Sequence, residues 1–343
     1  MKIFCRCCSK GHLKVVGAYM NTTFEENWFK KTWWKYTNRE KYLLYKHELL
    51  QYRLHKPIID FVIQDKALTI NDILKIVNDG REINVLHSGN AGDIIYSLPV
   101  VKKLHELTSS PVNFLMKLDE PLELSPGMTH PLSNVMLNRT MANGLINLLD
   151  SQSYINRIGI YNGQKIHLDL SMFRKSGLDL SRGNIARWNF YTTGIHADLS
   201  EPWLEVEAMD GFSDVIVLAR STRYNNPLID YSFLSAYENV VFVGVKSEYQ
   251  RMKKFISRLN WHPLNDFLEL AQVIKGSKLF VGNQSFPFSV AEALKAVRIL
   301  EVCPITPNVI PEGRNGYDFY FQKHFEYLVD SLVTAPAEYC DIA

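Results

Sequence analysis

Between Val215 and Val302 short apolar runs alternate with helix-like stretches, and this alternation constrains the fold more than any other feature of the chain. Val215–Ala219, Val240–Gly244, Lys278–Val281 and Arg298–Val302 have the composition of strands. Tyr231–Tyr237, Ser247–Leu259, Asp266–Lys275 and Pro287–Lys295 lie between them as helices. The last opens on a proline, which suits a first helical turn because its missing N–H is not needed there. Strands and helices in alternation form a parallel sheet with helices on its faces, since each helix must bury its apolar side. Four strands within this span predict a Rossmann-like unit.

A second alternation lies upstream. Ile83–His87 is a short apolar run, Ser88-Gly89-Asn90-Ala91-Gly92-Asp93 is a glycine turn, and Ile94–Leu107 continues as a helix. Val112–Met116, Ile155–Ile160 and Ile166–Leu170 are further strand candidates. Asp198–Gly211, with Pro202 and scattered acidic residues, has the character of a linker. The expected organisation is therefore an extension over 1–80, one Rossmann-like domain over 81–205, a second over 206–320, and a helical tail over 321–343. A chain of 343 residues, 46% hydrophobic and 22% charged, suits two globular domains and excludes disordered, collagen-like and disulfide-scaffold classes. Ligands of such α/β sheets bind outside the carboxyl ends of the strands, so the chemistry is expected in the cleft between the two domains.

The extension differs from the rest. The net charge of the chain is +2, yet residues 1–56 hold 12 Lys/Arg against 4 Asp/Glu. Such an arm either meets an anionic partner or packs on the protein's own acidic flank. Thr37 and Glu40 have capping-box spacing, and Tyr42, Tyr45, Leu49 and Tyr52 then fall on one helical stripe that Pro57 is expected to end. A second helix is expected from Thr69 to Gly80. Phe24, Trp28, Phe29, Trp33, Trp34 and Tyr36 interleave with Lys30, Lys31 and Lys35. That mixture serves a core stripe or, through 24–56, peripheral contact with an anionic membrane. Nucleic acid is a poor fit, because the lysines accompany Trp pairs rather than a base-reading motif. Cys5 and Cys8, followed by His12, have zinc-hook spacing without a second pair, so no metal site is expected there. No run approaches the ~20 apolar residues of a spanning helix. Lys2, Arg6, Lys10, His12 and Lys14 interrupt any signal-peptide core, so a cytoplasmic location, possibly at the inner membrane face, is the expectation.

Three turns have residues for chemistry. Gly89 and Gly92 allow close backbone approach to a ligand, with Asn90 beside them, and Asp93 is either the helix cap or an acid/base group. Asn283, Gln284 and Ser285 stand at a second strand–turn–helix junction, as phosphate donors or as a polar cap. Arg220, Arg223 and Asn226 follow the strand at 215–219, where forked guanidinium donors suit phosphate and a solvated loop is the alternative.

In order and spacing these segments resemble glycosyltransferase family nine, the ADP-heptose heptosyltransferase type with the GT-B fold. The resemblance rests on Gly92-Asp93-Ile-Ile-Tyr-Ser-Leu98-Pro99, on Leu268-Glu-Leu-Ala-Gln-Val-Ile274, on Val281-Gly-Asn-Gln284-Ser285-Phe286-Pro287-Phe-Ser289, and on Ala291-Glu-Ala-Leu294. It covers about residues 83–330. The chain departs from the family pattern at Gln284, Phe286 and Ser289, where Asp, Gly and His are usual. The resemblance implies an inverting sugar transfer from a nucleotide-diphosphate sugar to a hydroxyl of a glycan or lipid-linked acceptor, in surface polysaccharide or lipopolysaccharide synthesis. It implies Asp93 as base, Asn90 and Gly92 on the acceptor side, and Arg220, Arg223, Asn226, Asn283, Gln284 and Ser285 on the donor, with Glu292 or Glu301 on its ribose or base. No cofactor beyond the donor is implied. The departures keep a non-catalytic nucleotide- or glycan-binding relative as the alternative, and a nucleotide-sugar epimerase or hydrolase also uses two such domains.

Overall fold

A computed structural model describes residues 26–64, 66–77, 82–122 and 134–334. The cysteine cluster at 5–8, His12, Phe24, Gly80 and Cys340 lie outside these residues. The described chain divides into two compact units: residues up to 67 with Met172–Leu178, and Leu68–Ser171 with the chain from Asp179 onward.

The first unit is a helical pair, α1 (Trp28–Thr37) and α2 (Arg39–Ile63). Asn38, not Thr37, caps α2, its side chain accepting from the Lys41 N–H. Thr37 instead ends α1, its hydroxyl donating back to the Trp33 carbonyl at 2.7 Å. Pro57 does not stop α2, which runs on to Ile63. A helical proline removes only its own bond to the carbonyl four residues earlier, here Arg53, and the turns on either side persist. The stripe expected from sequence is present: Tyr45 is buried, and Tyr42, Leu49 and Tyr52 are half-buried on the same side.

The second unit holds two parallel sheets. Helix α3 (Ile70–Val77) leads in, with Thr69 and Asp72 in a reciprocal cap. The first sheet has the order β3-β2-β1-β4, from β1 (Ile83–His87), β2 (Val112–Met116), β3 (Arg157–Ile160) and β4 (Leu168–Asp169). Ile83 pairs with Val112 and Val85 with Leu168, all parallel. Helices α4 (Ala91–Thr108), α5 (Arg139–Asp150) and α6 (Ile185–Thr193) accompany it. The second sheet has the order β10-β9-β8-β5-β6-β7. Its strands are β5 (Ile216–Ala219), β6 (Val240–Val243), β7 (Asn260–His262), β8 (Leu279–Asn283), β9 (Arg298–Glu301) and β10 (Gly316–Phe319). With it run α7 (Lys246–Met252), α8 (Phe267–Gly276), α9 (Phe286–Leu294) and α10 (Gln322–Thr334). Two expected helices differ: Tyr231–Tyr237 is a 3-10 turn over Ser232–Ala236, and the helix expected to reach Leu259 ends at Met252 so that β7 can form.

One apolar core runs without interruption from β1, β2 and α4 through α9 into β5 and Phe280, and a second lies across the other face of the second sheet around Phe242 and Phe325. The joint is built around a proline. Pro99 sits inside α4 and has no N–H for the carbonyl of Ile95. The indole N–H of Trp203 fills that vacancy at 3.0 Å. Trp203 also donates its backbone N–H to Ala293 of α9 at 2.9 Å, and its carbonyl accepts from the Tyr154 hydroxyl at 2.5 Å. The segment expected as a linker is therefore a packed strap, because Trp203 and Leu204 are apolar enough to be buried. Glu205 continues it onto Gln152, and Met209 onto the Gln272 carbonyl.

Trp203→Phe keeps most of the buried area but orphans the Ile95 carbonyl, which should cost about 1–3 kcal/mol in urea unfolding. Adding Pro99→Ala should recover part of that loss by restoring the helical N–H, whereas Trp203→Ala should cost about 3–5 kcal/mol.

Candidate functional site

In the second sheet the chain starts at β5, moves outward to β6 and β7, then returns past β5 to β8. The loops that leave the carboxyl ends of neighbours β5 and β8 therefore diverge, which opens a crevice between them. They are Arg220–Asn226 and Asn283–Ser285, two of the turns singled out by sequence. In the first sheet the same reversal falls between β1 and β4. There Ser88 donates its N–H to the Ser171 hydroxyl at 2.7 Å, next to the turn at Gly89–Asp93.

Asn283 is completely buried and wires the first pair of loops together. Its Oδ1 accepts from Ser221 N–H at 2.9 Å, and its Nδ2 donates to the carbonyls of Arg223 at 2.6 Å and Tyr224 at 3.2 Å. This grip holds Tyr224 at a left-handed φ of 52°. Ser285 begins α9, and its hydroxyl donates to the Asn283 carbonyl.

Arg220, Asn226 and Glu301 converge beneath that loop. Arg220 grips Glu301 with Nε at 2.7 Å and Nη2 at 2.9 Å, and Tyr231 donates its hydroxyl to the same carboxylate at 2.6 Å. Asn226 donates its backbone N–H to Glu301 as well, and its Nδ2 reaches the Tyr320 carbonyl. Burial works against charge on Arg220, but its bond to Glu301 and the charges of Tyr231 and Glu301 together raise its pKa. Burial beside the Glu301 carboxylate pushes the Tyr231 phenol well above its ordinary range. Both Glu301 oxygens are thus occupied within the protein.

Glu292 is likewise turned inward. It accepts from Arg298 at 2.5 Å, from Lys295 at 2.5 Å and from Glu312 N–H at 3.0 Å, with both Glu292 and Arg298 buried. Gln284 spends its amide on the chain after β9: Nε2 donates to Thr306 O and Asn308 Oδ1, both at 2.7 Å, and Oε1 accepts from Cys303 N–H at 2.6 Å. Of the residues expected on the donor, Arg223 is the arginine in no ion pair among the described residues; its guanidinium lies 5.5 Å from the Tyr224 ring centroid. The polar groups left at the rim of this crevice are therefore the half-buried Arg223 and Ser285, the latter already bonded to the Asn283 carbonyl, and the backbone N–H groups that open α9.

The β1 turn supplies a carboxylate. Asp93 is buried at the start of α4, and its Oδ2 accepts from Asn90 N–H at 2.9 Å. That bond is a helix cap; the same contact fixes the direction of the carboxylate. His87, which the sequence pattern gave no role, is fully buried beside it, its Nδ1 accepting from Gly89 N–H at 2.9 Å. A Cβ at Gly89 would stand 2.6 Å from His87 Cε1 and 2.8 Å from Asp93 Oδ2, so only glycine fits between them. The signal in the sequence was a histidine closing an otherwise apolar strand.

The two turns meet. A Cβ on Gly92 would lie 3.8 Å from Ser289 Oγ and 4.0 Å from Phe286 Cα. Phe286 packs in turn against Phe267, the rings tilted with centroids 4.3 Å apart, and Phe267 lies over Gly144 of α5. Among the described residues no three His, Cys, Asp or Glu side chains converge as a metal site.

Two parallel α/β sheets whose switch-point turns face each other define this unit as an α/β fold with paired parallel sheets. No protein-family model and no curated protein sequence matches the chain. Among solved structures it is similar to a glycosyl transferase of family 9 from Veillonella parvula, at 11% identity and a TM-score of 0.48, over 76% of this chain and 95% of that one. It is also similar to the E. coli ADP-heptose LPS heptosyltransferase II, at 12% identity and a TM-score of 0.44, over 74% and 98% of the two chains. The E. coli heptosyltransferase WaaC with ADP-2-deoxy-2-fluoro heptose aligns at 10% identity and a TM-score of 0.41, over 69% and 92%.

Lys295 gives a pH test of the inward-turned cluster. Burial lowers its pKa from 10.5 to about 8, against the opposing pull of Glu292. Between those values the unfolded chain binds more protons than the folded one, so this lysine's contribution makes stability rise with pH across that window. Lys295→Met should flatten that part of an alkaline stability profile measured by chemical denaturation.

Proposed function

We propose that the protein moves a sugar from a nucleotide-diphosphate sugar to an acceptor hydroxyl, with inversion, in the synthesis of bacterial surface polysaccharide or lipopolysaccharide. The observation that carries this reading is the apposition of the two switch-point turns at Gly92, Phe286 and Ser289. In this reading the Asp93 carboxylate serves from the first turn, the amides that open α9 from the second, and Arg223 from the loop that Asn283 ties to that second turn. In this reading Asp93 takes the proton of the acceptor hydroxyl as its oxygen bonds to the anomeric carbon. The bond from that carbon to the diphosphate breaks, and the leaving oxygen keeps the electron pair. Arg223, Ser285 and the α9 N-terminal amides offset the charge that develops there. Asn90 and Gly92 line the acceptor side. Arg220, Asn226, Asn283, Gln284, Glu292 and Glu301 form the frame that holds these groups in place, rather than touching the donor. An ADP-sugar is the first donor to try, because WaaC is solved with such a compound.

One observation favours a non-catalytic binder instead. Gln284 is fully engaged by the chain at 303–308, and Phe286 fills space against Phe267. Two measurements separate the readings. A donor that binds raises the melting temperature, the stabilisation growing with the logarithm of its excess over Kd. A transferase then also releases nucleoside diphosphate, slowly with water and faster with acceptor, whereas a binder gives the thermal shift alone.

For the transferase, Asp93→Asn keeps at the third helical position a side-chain oxygen that can accept from the Asn90 N–H, as in a capping box. Transfer should fall by roughly 10²–10⁴-fold, the worth of a positioned base, with the donor-induced thermal shift retained. Arg223→Ala should show the converse order, losing the thermal shift first. Undiminished transfer by Asp93→Asn would remove Asp93 from the reaction.

A further inference from the structure

We infer that α1 seats the protein on an anionic lipid surface. The inference is independent of the sugar-transfer reading, since it uses the other compact unit. No residue of α1 is buried. Its large side chains are strongly exposed: Trp28 by 66%, Phe29 by 74%, Trp33 by 68% and Tyr36 by 78%. At about 100° per residue these four fall within an arc of about 140° on one side of the helix. Lys30 and Lys35 flank the arc, one at each edge.

The opposite side of α1 is already used. Trp34 rests against Tyr45 of α2, with ring centroids 5.8 Å apart, and Lys41 lies 4.6 Å from the Trp34 ring. The aromatic arc therefore faces away from α2. Lys35 Nζ lies along the arc, 5.6 Å from the Tyr36 centroid, while Lys30 at the other edge bonds Glu26 at 2.7 Å with its Nζ 5.0 Å from the Trp34 centroid.

Charge selects the occupant. Residues 26–56 hold eight Lys/Arg against three Asp/Glu, so a second copy presenting the same face would be repelled. The chemistry fits a bilayer interface. Trp and Tyr rings settle at headgroup level, and lysines at the edges of the face reach anionic headgroups from the same depth. Neither signal is strong alone, and the pair together gives stable but salt-sensitive attachment. Among the described residues no helix is long and apolar enough to cross a membrane, so α1 lies on the surface rather than spanning it.

The test is co-sedimentation of the full-length protein with vesicles of phosphatidylcholine alone or mixed equally with phosphatidylglycerol. Trp28→Ser with Trp33→Ser removes two exposed rings without touching the contact with α2, and circular dichroism checks the helices. Lys30→Gln with Lys35→Gln removes the flanking charge. The full protein should prefer the anionic vesicles and release with added salt. Each double variant should weaken partitioning by roughly tenfold or more, the lysine pair also blunting the salt response. Equal partitioning of the tryptophan variant and the parent protein would overturn the inference. So would indifference to phosphatidylglycerol, or a dimer, seen by sedimentation velocity, that the tryptophan variant abolishes while vesicles bind neither protein. Donor-induced thermal shifts should be the same in all three proteins, which keeps a failure here distinct from a failure of the transferase reading.

Discussion

The hydrogen bond from the Trp203 indole to the Ile95 carbonyl holds the rest of the second unit in register. It exists because Pro99 leaves that carbonyl without a helical partner. Since the backbone N–H of Trp203 is also bonded to the Ala293 carbonyl, this one residue ties α4 to α9. Each of those helices begins at a switch-point turn. The distance between the carboxylate turn and the amide turn is therefore set by contacts one to two helical turns away, in the dry interior, and not by the turns themselves. A candidate site assembled in this way is stiff, because shifting one turn requires breaking a buried bond between helices.

Below the turns the polar side chains work as a frame. Glu301 collects Arg220, Tyr231 and the Asn226 N–H, and Glu292 collects Arg298, Lys295 and the Glu312 N–H. A carboxylate this deeply buried is tolerable only when it is well matched, and here Glu301 accepts four hydrogen bonds and Glu292 three. The consequence for chemistry is a division of labour. Ions that support the loops are sealed inside, while Arg223 stays available at the surface of the crevice. The loop after β5 carries both kinds of arginine three residues apart, and only the depth of each separates their roles.

Periodicity made most of the architecture legible. The two βα alternations, the glycine turn at 89–93 and the polar turn at 283–285 all lie where hydrophobic patterning places them. What patterning could not show depends on contacts between distant residues. Pro57 has the local mark of a helix end, yet α2 continues through it to Ile63. Asn260–His262 has too little apolar character to announce a strand, and becomes one by pairing with Val241–Val243. Gly316–Phe319 forms an edge strand for the same reason, against Arg298–Glu301. In the site, residue types were readable and their partners were not. Glu301 looks like a ligand-binding carboxylate until Arg220, 81 positions away in sequence, is seen to hold it. His87 passed as part of an apolar strand because burial, not pattern, gives it a neighbour in Asp93.

Asn283 has a consequence for how this protein can change. One amide reads the backbone of the neighbouring loop at Ser221, Arg223 and Tyr224, and it needs an acceptor and two donors in fixed places to do so. No hydroxyl, carboxylate or aliphatic side chain offers that set. The loop after β5 and the turn after β8 are therefore a single inheritable module split across 60 residues of chain. A loop transplanted from another protein would arrive without the grip that shapes it. Variation in what the crevice accepts is thereby channelled into side chains the amide does not touch, with the backbone beneath them held constant.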